Sequence, residues 1–127
     1  MMTQPWHQVV ARYEDYKSEQ RSIRALGTLA WQISQSPLAE GLFAWTSMFD
    51  LCIVQTPVSY PYDGPLLRIS PIEKERIEIR YFDTRIEASQ WHRTVDADQV
   101  FPRLIKFLDQ LRWFPAEFLE RISPPTR

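Results

Sequence analysis

One cysteine in 127 residues excludes an internal disulfide framework, and Cys52 sits in the apolar run "FDLCIVQ", where a small buried hydrophobe belongs. So little thiol fits a reducing cytoplasm, which is the expected compartment. Glycine is scarce too, with three isolated residues, and this excludes the Gly-rich loops that cradle phosphates. The two histidines, His7 and His92, are far apart in the chain, and neither has a Cys-x-x-Cys, a His-x-x-x-His or a spaced carboxylate cluster beside it. No metal site and no cofactor is expected on that basis. An excess of charge is also lacking: 15 Lys and Arg against 16 Asp and Glu leave a net charge of −1, which provides no general pull toward nucleic acid or an anionic membrane. No apolar run approaches the ~18 residues that span a bilayer, and "MMTQPWHQVV" lacks the basic-then-apolar order of a signal peptide.

Rings are abundant: five Trp, five Tyr and seven Phe, 13% of the chain, within a composition that is 44% hydrophobic and 24% charged. That is the composition of a folded soluble domain, and the length is that of a single domain with one core. Rings in such number build a core, an interface or both.

Apolar spacing divides the chain into three parts. In "QVVARYEDYKSEQ", Val9, Val10, Tyr13 and Tyr16 recur at helical intervals, with Thr3 as the expected cap and Pro5 in the first turn. Ile23, Leu26, Leu29, Ala30 and Ile33 mark one face of a second helix, and Arg24, Thr28 and Gln32 mark the other. Gly27 weakens that helix by up to ~1 kcal/mol relative to Ala unless it serves close packing. In "SQSPLAEGL", Ser36 caps a short restart that begins at Pro37 and ends at Gly41. From Phe49 the period changes to that of strands: "DLCIVQT", then "LLRIS", then "RIEIRYF", then "IEASQWHRTV", separated by turn chemistry at "SYPYDGP", "PIEKE" and "DTR". The last long helix shows a wide stripe of Val100, Phe101, Leu104, Phe107, Leu108 and Leu111, with Asp98 as its expected cap. Pro115 opens a short terminal helix, and "SPPTR" reads as a loose tail. The expected fold is therefore a single α+β domain, residues 1–127: a four-stranded antiparallel meander with N-terminal helices and a C-terminal helix packed on one face.

If helices cover one face of such a sheet, function belongs on the other. Strand parity points Arg68, Glu78, Arg80 and His92 to that open face, although Ile86 and Ala88 share the parity of His92, so a bulge before Trp91 is required. Guanidinium forks beside an imidazole suit an anion or a carboxylate-bearing partner; on a solvated face the same residues pair with one another. Trp45, in the aperiodic stretch "GLFAWTSMFD", and Tyr60 and Tyr62, on a turn, either anchor a partner or pin a connection to the core. Cys52 and His92 form the one thiol and imidazole pair of the strand region, but a thiol inside an apolar strand is inert, so no catalytic residue is assigned. The expected function is non-catalytic protein binding, as in a small adaptor, inhibitor or immunity-type protein, with a protein partner or a homodimer. The alternative is an anionic-ligand protein or enzyme using Arg68, Arg80 and His92.

Overall fold

The computed structural model describes residues 2–83 and 86–127. Helices α1 (Trp6–Tyr16) and α2 (Arg21–Ser34) come first, and a single 3-10 turn (Pro37–Glu40) follows. Strands β1 (Phe43–Ser47), β2 (Asp50–Val54), β3 (Leu66–Pro71), β4 (Arg76–Phe82) and β5 (Trp91–Asp96) form one antiparallel sheet in chain order. Helices α3 (Val100–Gln110) and α4 (Ala116–Glu120) close the chain. The α+β class and the placement of the helices are as expected, but the sheet has five strands where four were expected. The additional strand is β1, which lies in the aperiodic stretch. It pairs with β2 from Phe43↔Val54 to Ser47↔Asp50 and leaves a two-residue turn at Met48 and Phe49. That turn contains none of the usual turn residues, and Met48 adopts a left-handed φ of 56°. Such a backbone costs a non-glycine residue roughly 1–2 kcal/mol. Two tyrosines of α1 hold it in place: Tyr13 donates its hydroxyl to Phe49 O at 2.9 Å, and Tyr16 donates to Met48 O.

The helices pack on the inner face of the sheet, α1 against β1, α2 against β3 and α3 against β5. Leu26, Leu29 and Ile33 of α2 and Leu104 and Leu108 of α3 are buried with Leu51, Ile53, Leu67, Ile69, Ile77 and Ile79 in one core. Gly27 is where α1 and α2 approach: a Cβ there would sit 3.0 Å from that of Tyr13. Trp91 points inward, with its ring 4.8 Å from that of Phe107.

Several expected details differ. Thr3 does not cap α1; Pro5 occupies that position, and Thr3 N–H donates to Val58 O at 2.9 Å instead. Asp98 does not cap α3, because a 3-10 turn (Ala97–Gln99) runs into that helix and places the Asp98 carboxylate 3.8 Å from Arg21 Nη2. The fourth expected strand starts at Trp91, not Ile86. Glu87–Ser89 form a 3-10 turn, so Ile86 and Ala88 lie outside the ladder and no bulge is needed to turn His92 outward. The turn expected at Asp83, Thr84 and Arg85 falls partly outside the described residues. The tail is docked rather than loose: Gln32 Nε2 donates to Pro125 O at 3.3 Å, and the Arg127 guanidinium lies 5.2 Å from the Trp31 ring centre and 2.5 Å from Glu14 Oε1. By contrast, Ser36 caps its turn as expected, accepting from Leu38 N–H at 3.2 Å.

Candidate functional site

The sheet register arranges the outer-face side chains in rows. Pairings of Trp45↔Cys52, Cys52↔Arg68, Arg68↔Arg80 and Arg80↔His92 set these five residues side by side across all five strands. The next row carries Ser47 opposite Asp50, and Ser70, Glu78 and Thr94 in register. A row of aromatic and aliphatic side chains lies on the other side, with Phe43 opposite Val54 and Leu66 opposite Phe82. These rows follow from strand alternation alone once the register is given.

Arg68, Glu78, Arg80 and His92 are thereby brought together. Arg68 Nε lies 2.6 Å from Asp50 Oδ2, and Arg80 Nη2 lies 3.8 Å from the same oxygen and donates to Ser70 Oγ at 3.1 Å. Arg80 Nε is 3.2 Å from Glu78 Oε1, placed as an ion pair without the direction of a hydrogen bond. His92 Nδ1 is 3.8 Å from Glu78 Oε2, and its side chain is 75% exposed. The two guanidiniums are thus matched by two carboxylates, and with His92 uncharged the array is neutral. Burial works against the charge on Arg68, but the hydrogen bond to Asp50 and the neighbouring negative groups outweigh it and hold its pKa above the ordinary arginine value.

Asp50 is the hub that sequence reasoning missed. It opens an apolar run read as covered on both faces, so nothing marked its carboxylate as facing Arg68 and Arg80. Parity within β2 would have placed it on the outer face, but its partners are set by the register between β2 and β3.

The three aromatic candidates do not join this array as a group. Trp45 is only 6% exposed; with Cys52 and Val54 it forms a small second core on the outer face, covered by Phe43, Val58, Tyr62 and Leu66. The reading in which a connection is pinned by its rings fits Trp45, except that the segment is itself a strand. Tyr62 is half-buried and donates its hydroxyl to Pro65 O at 2.7 Å. Tyr60, 75% exposed, presents its ring to solvent next to the cis bond to Pro61. The outer face is therefore covered over β1 and β2, and it is open over β3 to β5.

Burial under this second core pushes the Cys52 thiol up to about 11; Arg68 and Arg80 offset part of that effect and Asp50 adds to it. Cys52 and His92 are separated by two strands in their row, with Arg68 and Arg80 between them. A groove of about 460 Å³ runs between α2 and the start of α3, lined by Arg21, Arg24, Thr28 and Phe101 among others. No helix of the described residues is long and apolar enough to cross a membrane, and no three His, Cys, Asp or Glu among them cluster as a metal site would. No family model matches the chain, and no significant match was found among curated proteins or solved structures.

Proposed function

We propose that this chain is a small cytoplasmic protein-binding module without catalytic activity, and that its contact surface is the open outer face over β3 to β5. The observation that carries the reading is the chemistry of that face: an array of paired charges, Arg68 with Asp50 and Arg80 with Glu78, beside the exposed side chains of His92 and Thr94. Paired charges spread over a sheet face suit a protein partner, whereas a small ligand needs a concave site that removes most of its surface from water. The anionic-ligand alternative has less support, because Asp50 and Glu78 already occupy both guanidiniums. Paired charges at a contact face confer selectivity and orientation more than affinity, since each must be desolvated with its complement in place.

The test is affinity capture from the native cytosol, comparing wild type with Arg80→Glu and His92→Glu on the face and with Lys106→Glu on the exposed side of α3. A partner retained by wild type and by Lys106→Glu but lost by both face variants is the expected result. Identical capture by all four proteins would remove the outer face as the contact surface.

A further inference from the structure

One edge of the sheet is closed and the other is open. Beside β1, the N-terminal segment makes an isolated antiparallel bridge: Gln4 donates its N–H to Ala44 O at 2.7 Å, and Met2 bridges to Ser59 in the loop after β2. Beyond β5 there is no strand among the described residues. The phase of the ladder identifies the backbone groups left over there. Ala97 N–H donates to Glu75 O at 2.9 Å, one rung past Arg76↔Asp96. Because antiparallel rungs alternate, Trp91, Arg93 and Val95 turn their N–H and C=O groups toward β4, and His92, Thr94 and Asp96 turn theirs to the free edge. Arg93 Nη1 donates to His92 O at 2.8 Å, as an outward-facing carbonyl allows. An unpaired edge of this kind is a template for another strand.

We propose that β5 pairs antiparallel with β5 of a second copy of this chain, about a two-fold axis through Thr94. Opposed residues must share a face, so the axis must pass through a residue, and charge selects which. Centred on Arg93, two guanidiniums oppose each other; centred on Val95, the overlap shrinks to the end of the strand. Centred on Thr94, the outward N–H of each Thr94 donates to the C=O of the other, two threonines pair on the outer face, and His92 stands opposite Asp96 of the second copy. Asp96 already lies 3.6 Å from Arg76 Nε, and His92 lies 3.8 Å from Glu78. Across the axis the order becomes Glu78, His92, Asp96 of the second copy and Arg76 of the second copy, with charges alternating once His92 is protonated. The second copy thus contributes a carboxylate to the outer-face array and extends that face into its own. This pairing stands whether or not the array binds a further protein.

An edge contact of this length buries little surface, so the association is weak and belongs in the micromolar range or above. Sedimentation equilibrium of the full chain, from micromolar to millimolar concentration, should show the average mass rising from one chain toward two. Thr94→Pro removes the central donor at a position where an edge tolerates proline, and Thr94→Lys places two ammonium groups on the axis; each should raise the dissociation constant roughly tenfold or more. Thr94→Cys in a Cys52→Ala background should cross-link under mild oxidation, since opposed Cα atoms on such a rung are about 5.5 Å apart and within disulfide reach, whereas Lys106→Cys in that background should not. A single-chain mass at every concentration overturns the proposal. So does a dimer whose affinity is unchanged by Thr94→Lys, which keeps the test decisive if the proline variant fails to fold.

Discussion

Replacing Asp50 with alanine tests the charge arrangement on the outer face most directly. The change removes the carboxylate 2.6 Å from Arg68 and 3.8 Å from Arg80, leaving Glu78 and Ser70 to partner Arg80 and no ion pair among the described residues for Arg68. A hydrogen bond to a charged group contributes about 1.5–3 kcal/mol, and Arg68, about a third exposed at 32%, recovers part of that from water, so the lower end applies. The expected loss is about 1.5 kcal/mol, a fall in Tm of roughly 5 °C for a domain of this size. Pairing Asp50→Ala with Arg68→Met in a double-mutant cycle should return a coupling of about 1 kcal/mol, measured by urea unfolding. Anion binding supplies a second arm. Without Asp50, two neighbouring guanidiniums lose their shared carboxylate, and sulfate should stabilise Asp50→Ala by about 1 kcal/mol more than wild type in thermal melts. An unchanged Tm, or equal stabilisation of both proteins by sulfate, would refute the view that Asp50 holds these two charges in balance.

Three further outcomes follow from local geometry. Gly27→Ala should destabilise by about 1 kcal/mol although alanine is the better helix former: the new methyl lies 3.0 Å from Tyr13 Cβ, and the Tyr13 hydroxyl bond to Phe49 resists the shift; calorimetry reads the sign. Met48→Gly should stabilise by roughly 0.5–1 kcal/mol, since the left-handed φ of 56° suits glycine, and denaturation midpoints showing a loss would mean that the Met48 side chain supports the turn. Burial raises the Cys52 thiol from 9.0 to about 11, so the folded chain holds a proton that the unfolded chain releases, and stability falls as pH rises through that window, by up to roughly 2 kcal/mol. Tyr13, also raised by burial, acts in the same direction, so urea unfolding between pH 8 and 11 should show a shallower fall for Cys52→Ala than for wild type without abolishing it.

Much of the fold was legible because burial imposes a period on the chain. The alternation in "RIEIRYF" marks a strand with one buried face, and β4 shows that pattern, Ile77, Ile79 and Tyr81 inward and Glu78, Arg80 and Phe82 outward. The stripe in α3 likewise identifies its buried face. Period and parity also put Arg68, Glu78, Arg80 and His92 on one face, because the side to which a side chain points depends only on its own strand. Strand β1 escaped because its inner Ala44 and its outer Trp45 are both buried, one by the helices and one by the loop over the second core; burial on both sides erases the alternation. Its turn escaped as well, since Met48 and Phe49 are held by tyrosines more than thirty positions earlier in the chain.

The sequence by itself determined which residues are buried along α1, α2, α3 and β4, and so the α+β class and the common face of Arg68, Glu78, Arg80 and His92. Only the tertiary structure decided what those residues meet: Asp50 as the partner shared by Arg68 and Arg80, the burial of Trp45, the docking of Arg127 on Trp31, and the closing of one sheet edge while β5 stays open. The physical reason is the range of the interactions. Local periodicity reflects the average division between apolar core and water, whereas ion pairs, ring contacts and edge coverage depend on the register between segments far apart in the chain.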